Sequence, residues 1–416
     1  MSRPVRFIHA ADLHLDAPFG GVDAQDVRVR DALAASTYRA LEALTEACIE
    51  GDVDFLVISG DVYNEAERRV RSQLAFAKAA TTLERAGIAI YVAHGNHDPS
   101  SGWSAGITMP DNVHVFADDR VERLPVERDG EQVCALYGRS YRRSGETANF
   151  AREFKRDAAD GVAIGVLHTN VGGRPGYDNY APCTLEDLRS GGMDYWALGH
   201  IHKPEILSES PYAVYAGCPQ GLDPTQSGSR GCYLVTIDGG LVSTEFLPLA
   251  AVEWHQAEVD ISDAQRLDDV RDAIAGAVDA ALASANAPVI IRLDLTGRSE
   301  AHDPLRVAGA LQALVEDARE EALGFERWAW VDRVRDRTRP SIDLEGLRAA
   351  GDFTGDVVRL ADDLLADEAA GASLVDDVAA PLLERLADAS LAPDAADIIA
   401  RARDLALDRL LEGDAR

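Results

Sequence analysis

Five short polar stretches combine carboxylate, amide and imidazole side chains, and each follows an apolar run of the chain. They are Asp12-Leu13-His14, Gly60-Asp61, Gly95-Asn96-His97-Asp98, His168 and Gly199-His200-Ile201-His202. Oxygen and imidazole ligands together suit manganese, iron or zinc ions. Two such ions that share a bridging carboxylate can bind a phosphate group and activate the attacking water. The five stretches therefore predict metal-assisted phosphoester chemistry.

The secondary-structure elements before these stretches must bring them to one place. Apolar runs at 5–11, 53–59 and 88–92 indicate strands, and helical patterns at 30–50 and 67–86 separate them. This βαβαβ series predicts an α/β fold with a largely parallel sheet covered by helices. Further strands are expected at 113–116, 133–137, 163–167 and 195–198, with a helix at 147–159, a site-lining Gly/Pro loop at 171–178 and a closing meander at 212–247. Ligands of open α/β sheets bind at the carboxyl ends of strands, where the polar stretches fall.

The composition and the predicted secondary structure of the chain change at two points, which predicts three parts. Residues 1–250 form the metal-binding part. Residues 251–340 alternate strands and helices in an order that fits a small α+β cap. Residues 341–416 are rich in Ala, Leu and Asp at helical spacing, with interruptions that include Gly371 and Pro381. We therefore expect a helical tail of three or four short amphipathic helices.

Composition restricts the function further. The chain of 416 residues has a net charge of −30, so a uniformly basic nucleic-acid-binding protein is excluded. Contact with DNA would require a local basic patch within a repelling field. The five cysteines form no Cys-x-x-Cys pair, so neither a disulfide framework nor a zinc ribbon is expected. No apolar run is long enough for a membrane span and no signal-peptide pattern is found at the start, so we expect a cytoplasmic protein without membrane contact.

In their order and composition, the five stretches resemble the signature of the calcineurin-like metallophosphoesterase superfamily. The resemblance implies a β-sandwich core flanked by helices. It also implies two metal positions that share Asp61: the Asp12 position (Asp12, His14, Asp61 and His202) and the Asn96 position (Asp61, Asn96, His168 and His200). By the same resemblance His97 would protonate the leaving oxygen or stabilise the charged phosphorane, with Asp98 orienting its ring.

Within this superfamily the chain is similar to SbcD- and YhaO-type DNA-repair nucleases. The matching segments are Phe7-Ile8-His9-Ala10-Ala11-Asp12-Leu13-His14-Leu15-Asp16, Ala181-Pro182-Cys183-Thr184-Leu185-Glu186-Asp187-Leu188, Asp194-Tyr195-Trp196-Ala197-Leu198-Gly199-His200-Ile201-His202-Lys203 and Gly217-Cys218-Pro219-Gln220-Gly221. The resemblance implies a DNA exonuclease with endonuclease capacity that uses two divalent metal ions, Mn²⁺ first, with iron or zinc as alternatives. It also implies a homodimer whose tail binds an SbcC-like coiled-coil ATPase. One departure is Asn64, where the family often has aspartate.

Two other functions stay open. The same metals could serve a phosphatase or phosphodiesterase of small molecules or cyclic nucleotides, although such an enzyme has no need of the cap and tail. A scaffold with a vestigial site is the other alternative, and the complete ligand set argues against it. The five histidines outside the motifs are expected to be packed core residues; they are His9, His94, His114, His255 and His302.

Two arginine-rich segments and the tail also have two interpretations each. The turn with Arg139, Arg142 and Arg143 could contact phosphate, but such turns are more often solvated. The arginines of 327–339 could do the same, but the acids Asp332 and Asp336 favour a self-paired strand. The tail helices could bind a partner or could pack only within the chain.

Overall fold

The computed structural model of the protein describes residues 3–22, 24–64, 69–102, 106–386 and 394–411. Its strands are β1 (Val5–Ala10), β2 (Phe55–Ser59), β3 (Ala89–Ala93), β4 (Val113–Val115), β5 (Glu122–Arg128), β6 (Glu131–Arg139), β7 (Ala163–His168), β8 (Tyr195–Gly199), β9 (Glu205–Glu209), β10 (Tyr212–Tyr215), β11 (Gly231–Asp238), β12 (Leu241–Pro248), β13 (Glu253–Asp260), β14 (Val289–Thr296), β15 (Arg298–Ser299), β16 (Ala329–Asp336) and β17 (Arg339–Pro340). Its helices are α1 (Val27–Glu50), α2 (Val70–Arg85), α3 (Leu185–Gly191), α4 (Leu267–Ser284), α5 (His302–Leu305), α6 (Ala310–Leu323), α7 (Leu344–Ala349), α8 (Phe353–Ala366), α9 (Glu368–Leu386) and α10 (Ala395–Leu411), with 3₁₀ turns at Phe150–Glu153 and Pro224–Gln226.

Two six-stranded sheets form the metal-binding part. Their strand orders are β12-β11-β1-β2-β3-β4 and β5-β6-β7-β8-β10-β9. The neighbours β1, β2 and β3 are parallel in the first sheet, and β6, β7 and β8 are parallel in the second. All residues of β2, β7 and β8 are buried, as expected for parallel strands covered on both faces. In each sheet the carboxyl ends of the parallel strands therefore lie at one edge.

Aromatic side chains pack the two sheets face to face. Phe7 of β1 stacks on Phe55 of β2 with ring centroids 5.0 Å apart. The edge of Phe7 also meets Tyr195 of β8 in the other sheet, at a centroid distance of 5.4 Å. The predicted metallophosphoesterase β-sandwich is therefore confirmed.

Helices cover both outer faces of this sandwich. Leu44 of α1 and Phe76 of α2 pack against Ile58 on the first sheet. Leu188 of α3 packs on the second sheet against Trp196. Two helices in front of one sheet and one in front of the other complete the layers that the α/β pattern predicts.

The predicted helix at 147–159 is wrong, because only the 3₁₀ turn Phe150–Glu153 forms there. This turn already buries Phe150 and Phe154. The carboxylate of Asp160 accepts hydrogen bonds from Arg123 Nε at 3.0 Å and from Tyr137 Oη at 2.5 Å. These contacts hold the chain after Phe154 against the sheet, so a helix does not continue there.

The cap contains the parallel sheet β13-β14-β16 together with α4 and α6. Trp254, Ile290 and Trp330 on one face of this sheet form an apolar cluster with Val29 of α1 and the partly buried Phe19. Residues 1–297 and 303–338 form one compact unit, so cap and sandwich belong together.

The second compact unit contains residues 298–302 and 339–416. Its helices α8, α9 and α10 share an apolar cluster that contains Ala361, Val375 and Ile399. Gly371 and Pro381 do not break the helix as expected, because both lie inside α9. A Cβ on Gly371 would lie 2.7 Å from the carbonyl of Leu364. Glycine is used here for close helix packing. No helix in the described parts of the chain is both long and apolar enough to cross a membrane.

Candidate metal centre

The structure brings the predicted metal ligands together where the parallel strands end. They follow β1 (Asp12, His14), β2 (Asp61), β3 (Asn96) and β8 (His200, His202), or end β7 (His168). Because β1 to β3 belong to one sheet and β7 and β8 to the other, the cluster is formed by both halves of the sandwich.

At the Asn96 position four lone-pair atoms converge. His168 Nε2 lies 2.9 Å from Asn96 Oδ1 and 3.4 Å from Asp61 Oδ2. His200 Nδ1 lies 3.2 Å from the same Asn96 oxygen. The other nitrogen of each ring faces a backbone carbonyl, Ser59 O at 2.9 Å and Asp178 O at 2.8 Å, and must donate to it. The nitrogens that face Asn96 therefore carry lone pairs, and a cation is the partner that these atoms fit.

The Asp12 position is adjacent and equally buried. His14 Nε2 lies 3.1 Å from His202 Nε2 and 3.9 Å from Asp61 Oδ2. Ligand atoms of Asp12, His14 and His202 lie within 4.8 Å of one another, as do those of Asp12, Asp61 and His168. Asp61 thus faces both positions, as a bridging carboxylate must.

The electrostatics of the cluster favour a divalent cation. Burial raises the pKa of Asp12 well above its usual value, and the charge of Asp61 raises it further. Burial also raises the pKa of Asp61 to about 7. Burial lowers the pKa of His168 and of His200 to about 4, so these imidazoles are neutral at pH 7. Among the described residues no Arg or Lys pairs with Asp12 or Asp61, so a bound cation would supply the positive charge that their ionised carboxylates lack.

The backbone of the cluster is strained in the manner of functional sites. Asp12, His14, Asp61 and His200 have φ angles of 51°, 42°, 53° and 95°, in the region that side chains other than glycine rarely adopt. A Cβ on Gly95 would lie 2.3 Å from Asp61 Oδ1 and 2.9 Å from His168 Cε1. Only glycine at position 95 lets these two ligands approach.

His97 lies beside the ligands, but its ring is not held as predicted. Its Nδ1 lies 2.8 Å from the carbonyl oxygen of Asn64, which can only accept. The buried carboxylate of Asp98 accepts instead from the amides of Gly95 and Val62, each at 2.9 Å. The assignment of Asp98 as the residue that orients His97 is therefore corrected: Asn64 does this, and Asp98 ties the two turns after β2 and β3 together.

Tyr177 of the expected Gly/Pro loop contacts two of the predicted ligands with its ring. The ring centroid of Tyr177 lies 5.8 Å from that of His200 and 5.9 Å from that of His202. Gln226 was missed by the sequence analysis, yet its Nε2 lies 3.0 Å from His202 Nδ1. No sequence signal marks Gln226, because its role depends on the path of the loop after β10.

The interpretation of the histidines outside the motifs as core residues agrees with the structure for His9 but is wrong for His114, which is exposed on β4. His9 is a buried core residue whose Nδ1 lies 2.9 Å from Tyr195 Oη and whose Nε2 lies 3.2 Å from Ser59 Oγ. Arg139 is used within the chain, since its guanidinium pairs with Glu153 and lies 3.8 Å from the ring centroid of Phe150. Arg142 and Arg143 of the same turn are exposed.

Comparison with known proteins identifies both parts of the larger unit. Residues 5–204 match the family described as calcineurin-like phosphoesterase, and residues 254–339 match the middle domain of metallophosphoesterase YhaO. The metallophosphoesterase YhaO of Bacillus subtilis is 34% identical over 348 residues, which cover 83% of this chain and 85% of that protein. The chain is also 27% identical over 278 residues to the DNA double-strand break repair protein Mre11 of Methanopyrus kandleri, covering 60% of this chain and 57% of the relative. A protein of the same name from Aeropyrum pernix is 25% identical over 284 residues, covering 62% of this chain and 64% of the relative. The chain therefore belongs to the YhaO family of the calcineurin-like metallophosphoesterases.

Proposed function

We propose that this metallophosphoesterase is a DNA-repair nuclease subunit, an exonuclease with endonuclease capacity that hydrolyses DNA phosphodiester bonds with two manganese ions. The observation that carries the proposal is the convergence of unprotonated nitrogens and buried carboxylates at Asp61, a set of atoms that two divalent cations would satisfy. Similarity to two Mre11 repair proteins supports DNA as the substrate.

The residues around the ions have separate tasks in this chemistry. The bound ions would supply Lewis acidity towards the phosphoryl group and the attacking water. A ring nitrogen of His97 lies within 4.8 Å of ligand atoms of His14 and Asp61. Because His97 Nδ1 donates to Asn64, the exposed ring keeps Nε2 free to hold a proton for the leaving oxygen.

The cap offers a surface that suits a polyanion. A cavity of about 220 Å³ on its open sheet face is lined by Gln256, Glu258, Arg292, Asp294, Arg333 and Arg335, among others. We expected Asp332 to pair with the arginines of its own strand. It accepts a hydrogen bond of 2.7 Å from Arg292 Nε on the neighbouring strand β14 instead. Within the described residues neither Arg333 nor Arg335 has an acidic partner. Two unpaired arginines in a chain of net charge −30 favour a long anionic substrate over a small ester.

The test compares two substrates under the same conditions. End-labelled linear duplex DNA and bis-p-nitrophenyl phosphate are incubated with Mn²⁺ or with chelator, at several salt concentrations because high salt screens the repulsion of DNA. The variants are His97→Ala and the double change Arg333→Gln with Arg335→Gln. We expect both substrates to be cleaved only with metal, cleavage reduced by about 10²- to 10⁴-fold in His97→Ala, and loss of DNA cleavage alone in the double variant.

Other outcomes would change the assignment. Hydrolysis of the small ester without DNA cleavage at any salt concentration would move the function to the phosphatase or phosphodiesterase class. Equal loss of both substrates in the double variant would show that the two arginines support the fold and do not bind DNA. Absence of metal-dependent hydrolysis of either substrate would refute the proposal.

We also propose that the protein forms a homodimer and that its tail binds an SbcC-like coiled-coil ATPase. The second unit exposes large apolar side chains, with Phe353 67% and Leu360 62% exposed on α8 and Leu405 54% exposed on α10. Exposed apolar side chains of this size are typical of a protein contact when they form a patch. Light scattering tests the dimer, and gel filtration with the purified ATPase tests the tail contact, which Phe353→Asp should abolish.

A further inference from the structure

The two metal positions differ in what binds the far nitrogen of each imidazole. A neutral imidazole that ligates through one nitrogen carries its proton on the other. At the Asn96 position both far nitrogens already donate to carbonyls, His168 Nδ1 to Ser59 at 2.9 Å and His200 Nε2 to Asp178 at 2.8 Å. At the Asn96 position the ring protons therefore already lie on the far nitrogens, which leaves the ligating nitrogens unprotonated.

At the Asp12 position the far nitrogens do not meet acceptors. His14 Nδ1 is buried without a hydrogen-bond partner among the described residues. His202 Nδ1 lies 3.0 Å from Nε2 of Gln226. The orientation of that amide is fixed, because its Oε1 accepts from the Leu222 amide at 2.9 Å. Gln226 Nε2 therefore donates to His202 Nδ1, and the ring proton of His202 lies on the Nε2 that faces His14.

The backbone around Gln226 holds this arrangement firmly. The amide of Gln226 donates to Asp223 O at 3.0 Å. The buried guanidinium of Arg230 donates to Gln226 O at 3.1 Å and to His202 O at 2.7 Å. One side chain thus holds both the glutamine and the histidine, so neither can move away from the other without breaking buried hydrogen bonds.

We propose that the two positions bind metal with unequal affinity and that Gln226 is a positioning residue that weakens the Asp12 position. The inference rests on the proposed two-metal site. Ligation through His202 Nε2 moves the ring proton to Nδ1, where it meets an N–H group of Gln226 instead of an acceptor. The Asn96 position needs no such change and fills first. The second step then sets the metal concentration at which both positions are occupied.

The experiment is a calorimetric titration of the chelator-treated full-length protein with Mn²⁺ at constant pH. We expect two binding steps whose dissociation constants differ at least tenfold. In Gln226→Glu a carboxylate can accept from both Leu222 N and His202 Nδ1, so the weaker step should tighten by about 10- to 100-fold while the stronger step is unchanged. His168→Ala should remove the stronger step, and His14→Ala the weaker one.

Two further variants test whether Gln226→Glu acts through the position of its hydrogen-bond acceptor or only through its negative charge. Thr225→Glu adds the same charge at the adjacent exposed residue and should leave the weaker step unchanged. Gln226→Leu removes the mismatched donor but supplies no acceptor, so it should not reproduce the tightening by Gln226→Glu. Circular dichroism establishes that each variant is folded.

The outcomes distinguish this inference from the proposed function. Two steps of equal affinity in an active protein would overturn the inference and leave the nuclease proposal intact. Tightening by Thr225→Glu as large as by Gln226→Glu would reduce the effect to charge and also overturn it. Failure to bind Mn²⁺ at all would overturn both.

Discussion

Replacing Asp61 by asparagine should stabilise the metal-free protein at neutral pH. Burial and the charge of Asp98 raise the pKa of Asp61 from 3.8 to about 7, so ionising this carboxyl in the folded protein is unfavourable. A shift of this size corresponds to an upper limit of about 4 kcal/mol. Asparagine keeps the oxygen that accepts from the His97 amide at 2.9 Å and removes only the charge.

The sign of the pH dependence follows from the raised pKa. The wild-type carboxyl stays protonated in the folded chain while it ionises in the unfolded chain, so its contribution to stability is present below pH 3.8 and is lost as the pH rises to about 7. Between these limits the wild type should lose about 1.4 kcal/mol per pH unit relative to Asp61→Asn.

The assay is urea unfolding of both proteins in chelator at pH 5.5 and pH 8. We expect Asp61→Asn to be more stable at pH 8, by about 2 to 4 kcal/mol, and about half of this difference to disappear by pH 5.5. Addition of Mn²⁺ should reverse the order, because the wild type gains binding energy that the variant cannot. A variant that is less stable than the wild type in chelator at pH 8 would refute the electrostatic argument.

Three further predictions concern single groups of the centre. His97→Ala should reduce turnover of bis-p-nitrophenyl phosphate by about 10²- to 10⁴-fold with metal content near the wild-type value, as measured by elemental analysis; metal loss would make His97 a ligand. Asp61→Ala should lose both metals, because both positions share this carboxylate, and two retained ions would exclude bridging. Gly95→Ala should lose at least one ion in the same measurement, since its Cβ would lie 2.3 Å from Asp61 Oδ1; full metal content would show that the turn can adjust.

The sandwich and the clustering of the ligands could be predicted because both depend on local patterns. Buried parallel strands such as β2 and β7 are continuous apolar runs, and each polar stretch begins where such a run ends. The spacing of Asp12 and His14 is a feature of one turn. Since parallel neighbours end at the same edge, strand order alone brings such turns together.

The partners of individual side chains could not be predicted, because they depend on the paths of loops and on sheet register. His97 binds Asn64 only because the turn after β2 presents a carbonyl there. A register shift between β14 and β16 pairs Ile291 with Val331 but Arg292 with Arg333. Asp332 is thus the extra residue of a bulge, which lets it bind Arg292 and leaves Arg333 without an acid. Alternation along the sequence gives no sign of this single insertion.

Three features of the centre are unfavourable in the metal-free protein, and each of them serves the binding of a cation. Non-glycine residues such as Asp12 and His200 hold left-handed backbone angles, which costs roughly 1–3 kcal/mol each. The buried carboxylates of Asp12 and Asp61 have no arginine or lysine partner among the described residues, and lone pairs of His168 and Asn96 lie 2.9 Å apart. A bound cation supplies the missing charge and accepts these lone pairs, while the strained turns point the ligands at it. Selection of these residues for stability alone would have removed all three features. Their coexistence at five strand ends is therefore the strongest argument that the centre is maintained for catalysis, and it links the stability of the fold to metal occupancy.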